Sequence, residues 1–208
     1  MSSIFHILRA FKIIIIFSRK GLLSKISKSS LVPQRALFFI NILNFFVGKE
    51  VPDSEIGSAI VETLKTLGPA FVKLGQALAT RPDIIGVQLA NELAQLHDNM
   101  EPFSYEKIVK SIKTETGKDI GQLFKSFNKT PIAAASISQV HKAKTFENDT
   151  VAVKILRPGV EKAIFSDLRF FKWCAKFLSS LDQEISFLRL PEAVDIFELL
   201  TKNEMDLR

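Results

Sequence analysis

One lysine stands in the middle of an apolar stretch of the sequence. Val151-Ala152-Val153 precede Lys154, and Ile155-Leu156 follow it. β-Branched residues are typical of a strand, and an ammonium group in such a strand is costly to bury unless an anion or a carboxylate meets it. The pattern therefore indicates an anion site, or else an edge-strand lysine that points into water.

The segment upstream of this strand is rich in small residues. In protein kinases a Val-Ala-Ile-Lys lysine holds the α- and β-phosphates of ATP, and a Gly-x-Gly-x-x-Gly loop covers them. This sequence contains no Gly-x-Gly, which argues against an ordinary kinase and against a Rossmann dinucleotide site. In the loop's place stands a run from Ala133 to His141, whose small side chains let backbone N–H groups approach phosphate. The alternative is a small-residue strand that packs under a helix.

Two further polar groups lie far apart in the sequence. Lys73, Gln76 and Thr80 share one face of a helix predicted over Ala70 to Thr80, at positions i, i+3 and i+7. Glu204 and Asp206 lie near the end of the sequence. On residue type alone, both groups also fit solvated side chains on helices.

The positive charge is concentrated at the N-terminus. Of 28 basic and 22 acidic residues, eight basic and no acidic residues fall within positions 1 to 49. A helical wheel places the early basic side chains on one arc and Ile4, Leu8, Phe11 and Ile15 on another. This basic amphipathic segment favours a membrane surface over nucleic acid as a partner. An organelle transit peptide, or a plain helix packed on the rest of the protein, remains an alternative.

No membrane-spanning segment, metal site or disulfide framework is predicted. The uncharged run from Ala36 to Gly48 is shorter than the roughly 20 residues that a spanning helix requires. The single cysteine, Cys174, fits a small buried side chain in a reducing compartment. The three histidines lie far apart, with no carboxylate or thiol at ligand spacing.

The elements change character along the chain. Helical periodicity and helix-ending residues such as Gly68-Pro69 and Gly117 predict an essentially helical region up to about residue 125. Two or three antiparallel strands are predicted between Ile132 and Leu156, followed by helices over Val160 to Leu181 and from Pro191 onward. The predicted architecture is α+β.

Four separated motifs resemble the UbiB (ADCK-like) family in order and spacing. They are Gly68 to Gln76, Thr80 to Asp83, the alanine-rich run ending in Gln139-Val140-His141, and Val151 to Lys154 followed by Arg157-Pro158-Gly159. The resemblance covers roughly residues 55 to 208. It implies a protein-kinase-like small lobe with a helical N-terminal extension, in an ATP-binding atypical kinase or ATPase of ubiquinone biosynthesis.

The resemblance also implies roles for individual residues. Lys154 would be the strand lysine, and the loop centred on Ala134, with Ala135 and Ser136, would cover the phosphates. Lys73 and Gln76 would belong to an extension that folds over the nucleotide pocket. Glu204 and Asp206 resemble the family's Glu-x-Asp pair, positioned to receive Lys73.

Three segments are expected: a basic amphipathic segment (1–50), the helical extension (51–125) and a kinase-like small lobe (126–208). The family would use ATP with magnesium, but the sequence to Arg208 offers no catalytic loop, no metal ligands and no large lobe. No catalytic residue is therefore assigned in this chain, and whether it is an enzyme stays open.

Partners and location follow from the same reading. The expected partners are a membrane surface and either proteins of ubiquinone synthesis or a separate large lobe, and no nucleic acid. The expected location is the cytoplasmic face of a bacterial inner membrane, with a mitochondrial membrane as the alternative. Alternative functions are a non-catalytic membrane adaptor, a degenerate remnant, or a flavin-dependent hydroxylase, against which the missing glycine fingerprint argues.

Overall fold

The computed structural model describes residues 3–27, 50–96, 101–180 and 187–207. The predicted apolar run from Ala36 to Gly48 lies outside these residues. The N-terminal part is helical: α1 (Ser3–Arg19), α2 (Leu22–Ser27), α3 (Ile56–Leu67), α4 (Pro69–Ala79), α5 (Pro82–Ile85), α6 (Val87–Ala94), α7 (Tyr105–Thr116) and α8 (Ile120–Leu123). The C-terminal part holds β1 (Ser126–Phe127), β2 (Ala133–Ala134), β3 (Ser138–Lys144), β4 (Thr150–Leu156), α9 (Val160–Ser179) and α10 (Leu190–Met205).

Helices α3, α4 and α6 pack around one apolar core. Its buried side chains come from all three helices and from Phe170 of α9, and they include Val61, Leu64, Phe71, Val72 and Leu93. The turn between α3 and α4 needs glycine, because Gly68 has a φ of 118°. Pro69 then occupies the first turn of α4, where a missing N–H costs no helical hydrogen bond.

The sheet is antiparallel, with β3 pairing β1, β2 and β4. The β3–β4 pairing sets Val140 opposite Lys154 and His141 opposite Val153. Side chains alternate between the two faces, so one face carries Gln139, His141 and Ile155 against α7 and α8, while Lys154 lies on the other. β1 and β2 have two residues each, and the sequence pattern missed β1, because so short a strand forms only through its pairing with Ala143 and Lys144.

Helices α9 and α10 pack together beside the sheet. Lys172 of α9 forms ion pairs with Asp195 at 2.7 Å and Glu198 at 2.5 Å, both on α10. A second apolar core joins these helices to the alanine-rich turn and to α4; its fully buried members include Ala70, Ile137, Ile164 and Leu168. Helix α4 is therefore fixed on both sides, by the helical core and by the sheet.

Helix α1 packs on α9 through polar and aromatic side chains. Arg9 forms an ion pair with Asp167 at 2.8 Å and donates a hydrogen bond to the carbonyl oxygen of Leu67 at 3.1 Å. His6 stacks on Trp173, with ring centroids 5.7 Å apart. Part of the basic arc of α1 thus faces inward. Ile4 and Leu8 lie on the opposite, outer side of the helix and are exposed.

The α+β architecture predicted from the sequence is confirmed. A helical region leads into a small antiparallel sheet with a following helix pair, as in a kinase-like small lobe. None of the helices in the described ranges is both long enough and apolar enough to cross a bilayer.

Candidate functional site: the sheet lysine, the alanine-rich turn and the Lys73–Glu204 pair

Lys154 lies in the middle of β4 with an exposed side chain. Its cross-strand neighbour is Val140, and β2 sets Ala133 on the other side of Val140. Within the residues that the structure describes, the Lys154 side chain has neither an ion pair nor a hydrogen-bond partner. At Lys154 the sheet thus presents a free cation beside small and apolar side chains.

The alanine-rich run forms a tight turn between β2 and β3. The Ala135 N–H donates to the Ser138 carbonyl oxygen at 2.7 Å, which closes the turn. Ile137 is fully buried in the core that α4 and α9 share, and Ser136 is buried beside it. Ala134 is half-buried and Ala135 is exposed. The turn is therefore anchored by its second half and presents Ala135 outward.

Arg157 fixes this turn, a role that sequence reasoning did not assign. Its guanidinium group donates two hydrogen bonds to the Ala135 carbonyl oxygen, at 3.0 and 3.2 Å, and one to that of Glu101 at 2.8 Å. It also lies over the Phe103 ring, 5.6 Å from the centroid, and burial lowers the pKa of the arginine. The sequence marks Arg157 as part of the Arg157-Pro158-Gly159 motif, but the motif does not predict the partners of its side chain.

A series of linked hydrogen bonds, from Asn128 through His141 and Gln139 to Phe103, stabilises the buried face of the sheet. His141 Nδ1 lies 2.8 Å from the Asn128 carbonyl oxygen, so this nitrogen carries the proton. His141 Nε2 then accepts from the Gln139 amide at 2.9 Å, and the Gln139 Oε1 accepts from the Phe103 N–H at 3.0 Å. Both side chains are completely buried, and their bonds meet the hydrogen-bonding need of that burial.

Lys73 of α4 forms an ion pair with Glu204 at the end of α10. The Lys73 side chain is only 15% exposed, and that of Glu204 is 39% exposed. The residue after Glu204, Met205, is buried in the core beside Ala70 and Ile137. The structure therefore joins the helical extension to the end of α10 directly at these two side chains.

Gly75 and Gln76, which follow Lys73 on α4, make contacts inside the helical core. A side chain at Gly75 would place Cβ 2.5 Å from Leu96 Cδ1 and 2.7 Å from Leu64 Cδ1. The Gln76 amide donates to the Leu96 carbonyl oxygen at 2.8 Å. The structure thus brings Lys73 to Glu204, whereas Gln76 ties α4 to the end of α6.

A groove of about 980 Å³ follows the edge of β4 that does not pair with β3. Its lining comes from α7, β4 and the end of α10, and it includes Lys154, Lys202 and Asp206. Its size falls within the range of small-molecule sites, a few hundred to about 1,000 Å³. Lys154 and Asp206 therefore border one groove, and Glu204 is two residues from Asp206 along the chain.

The model of the ABC1 atypical kinase-like domain matches residues 95–208, which is more than half of the chain. The chain belongs to the ABC1 atypical kinase-like family. The match includes the sheet, the alanine-rich turn and the end of α10, while Lys73 lies upstream of it.

Curated relatives of this ABC1 family chain include proteins of several bacteria. It is 38% identical to a probable protein kinase UbiB of Pseudomonas aeruginosa (strain LESB58) over 151 residues, 73% of this chain and 28% of that protein. A probable protein kinase UbiB of Shewanella sp. (strain MR-4) is 39% identical over 153 residues, again 73% and 28% of the two chains. An uncharacterized protein of Synechocystis sp. is 41% identical over 121 residues, 58% and 21%. The chain thus spans little more than a quarter of the length of the first two relatives.

Membership of a kinase-like family implies the use of ATP in general. The residues of this ABC1 chain fit such a group, because Lys154 offers an unpaired cation and Ala133, two strands away on the same face, is small and exposed. No cluster of three or more potential metal ligands occurs within residues 3–27, 50–96, 101–180 and 187–207.

Proposed function

We propose that this chain supplies the nucleotide-binding small lobe of a UbiB-type atypical kinase or ATPase that supports ubiquinone biosynthesis. The observation that carries the proposal is the free, exposed Lys154 in the centre of β4, on the same sheet as the alanine-rich turn. A lysine ammonium group in this setting is suited to an anionic ligand such as a nucleotide phosphate.

Each site residue has a proposed part in binding. Lys154 neutralises phosphate charge, and the turn of Ala134, Ala135 and Ser136 covers the phosphates, with Ala135 as its exposed side chain. Arg157 holds that turn in one geometry through the Ala135 carbonyl oxygen. A turn fixed in advance loses less conformational entropy when a ligand binds.

The Lys73–Glu204 pair is proposed to tie the helical extension to the nucleotide site. Glu204 neutralises Lys73 in the observed arrangement, and Asp206 borders the groove close by. The extension would span residues 51–125 and the small lobe residues 126–208. ATP would bring magnesium with it, as in other phosphoryl-transfer proteins, and we assign no residue of this chain as its ligand.

Nucleotide binding by the purified chain tests the central proposal. Calorimetry should detect ATP binding that Lys154→Ala weakens by about tenfold or more, since a charge-assisted hydrogen bond contributes roughly 1.5–3 kcal/mol. Lys142→Ala is the matched control, because Lys142 is also exposed and lies on the same face of the sheet. It should change the affinity by less than about twofold.

Two outcomes would count against the proposal. Equal losses from Lys154→Ala and Lys142→Ala would mean that only the general charge of the sheet attracts nucleotide. A folded chain that binds no nucleotide would favour the non-catalytic adaptor.

The part in ubiquinone synthesis rests on the names of the relatives. Its test is the ubiquinone content of a bacterial strain that lacks its own UbiB protein, measured with this chain expressed alone and with the remaining part of a relative. Restored ubiquinone that Lys154→Ala abolishes supports the proposal. Restoration that survives Lys154→Ala would make nucleotide binding irrelevant to that role.

The location is proposed to be a membrane surface. Eight basic and no acidic residues in positions 1 to 49 favour contact with anionic lipids. Proteins of ubiquinone synthesis at the same membrane are the proposed protein partners.

A further inference from the structure

The outer face of α1 is an apolar stripe. Ile4, Ile7, Leu8 and Phe11 follow the spacing i, i+3, i+4 and i+7, which keeps them on one side of a helix. Their exposed fractions are 65%, 54%, 63% and 51%. Isolated exposed apolar residues are ordinary, but four on one helix face form a continuous surface.

The orientation of α1 is set by its opposite side. His6 stacks on Trp173, and Arg9 pairs with Asp167 while also lying over the Phe71 ring at 5.6 Å. These contacts hold the inner face against α9 and α4, so the stripe cannot turn inward without breaking an ion pair that is largely buried. The helix therefore presents the apolar stripe outward, while His6 and Arg9 of the basic arc face inward.

Cations border the stripe on one side. At 100° per residue, Lys12 and Arg19 follow directly after Leu8 around the helix, and both are exposed. Helix α1 contains no acidic residue. An apolar stripe with lysine and arginine at its edge is the arrangement of helices that lie in the headgroup region of an anionic bilayer.

The end of α9 extends this surface. Arg9 meets Asp167 while His6 meets Trp173, so α1 runs antiparallel to α9 and its first turn points toward Phe177. Phe177 stacks on Trp173 with ring centroids 5.6 Å apart, and it is 50% exposed. Aromatic side chains of this kind are favoured at membrane interfaces.

We infer that the stripe Ile4–Ile7–Leu8–Phe11 is the surface by which the protein lies on an anionic lipid bilayer, with Lys12 and Arg19 at the headgroups. This inference rests on the membrane location proposed above and names the residues that make the contact. A second copy of the chain fits the stripe poorly. In a two-fold contact between two copies of α1, neither helix would offer a carboxylate to Lys12 or Arg19 of the other.

Flotation with lipid vesicles tests the inference on the whole chain. The wild type should bind vesicles of phosphatidylcholine and phosphatidylglycerol in equal parts, and Leu8→Gln/Phe11→Gln should weaken that binding by about tenfold or more, because apolar burial is lost. Lys12→Gln/Arg19→Gln should weaken it by about tenfold on these vesicles and have little effect with phosphatidylcholine alone. Trp173 fluorescence and circular dichroism check that each variant is folded.

The matched control removes two exposed apolar side chains elsewhere. Ile84 and Val87 are 60% and 67% exposed, and Ile84→Gln/Val87→Gln should leave vesicle binding unchanged. Equal binding by the wild type and Leu8→Gln/Phe11→Gln would overturn the stripe while leaving the membrane location intact. A wild type that binds no vesicle would overturn both. A dimer in sedimentation velocity that only Leu8→Gln/Phe11→Gln dissociates, without vesicle binding, would show that the stripe is a protein interface instead.

Discussion

Replacing Gly75 by alanine tests whether Lys73 is positioned by the close packing of α4 against α3 and α6. The new Cβ would lie 2.5 Å from Leu96 Cδ1 and 2.7 Å from Leu64 Cδ1. Carbon atoms in contact prefer about 3.5–4.0 Å, so each leucine must retreat by about 1 Å. Both leucines are buried, with 1% and 8% of their surface exposed, and have little room to retreat.

The expected loss of stability follows from two opposing effects. Overpacking of a core costs about 1–3 kcal/mol. Alanine is better than glycine within a helix by up to about 1 kcal/mol. Gly75→Ala should therefore lower the free energy of unfolding by roughly 1–2 kcal/mol, as measured by urea denaturation.

Gly121→Ala provides the control for Gly75→Ala. Gly121 also lies within a helix, but a Cβ there would meet no atom within 4 Å. Its substitution should leave stability unchanged or raise it by up to about 1 kcal/mol. If Gly75→Ala proves at least as stable as the wild type, the helices are not packed as closely at this point as the argument requires.

The ion pair, a buried carboxylate and the single thiol give three further predictions. A double-mutant cycle with Lys73→Met and Glu204→Gln should return a coupling of about 1 kcal/mol in urea unfolding, and additive losses would refute the pair. Burial raises the pKa of Asp167 above its usual 3.8 even though Arg9 favours the charged form, so the folded protein binds this proton more tightly than the unfolded chain does. Stability relative to Asp167→Asn should thus rise as the pH falls from neutral through the raised pKa and level off below 3.8, and the opposite slope would contradict this assignment. Burial raises the pKa of Cys174 to about 11, so iodoacetamide should alkylate it much more slowly in the folded protein than in urea, and equal rates would show an accessible thiol.

The strands and helices were predictable where a pattern repeats. The run of β-branched and apolar residues around Lys154 identified β4, and the glycine at position 117, with a φ of 73°, ended α7 as expected. β1 could not be found in this way, since two residues have no period and gain their conformation from the partner strand. Helices α5 and α8 were missed because four residues, about one helical turn, are too few to show a helical period.

Long-range partners account for what the sequence left open at the site. A helical wheel groups Arg9 with the other basic residues of α1, but only the fold brings Asp167 beside it from 158 positions away. Likewise Gln76 shares a face with Lys73, yet its amide reaches the Leu96 carbonyl oxygen because the chain lies beside α4 two residues after α6 ends. The nucleotide-binding roles of Lys154, Ala134 and Gln76 came from a family resemblance and stay predictions.

Amide hydrogen exchange of the chain with and without ATP tests the central claim most directly. The proposal predicts slower exchange in the alanine-rich turn and around Lys154, lost in Lys154→Ala and retained in Lys142→Ala. Slower exchange confined to other elements, or protection of the turn that persists in Lys154→Ala, would contradict it.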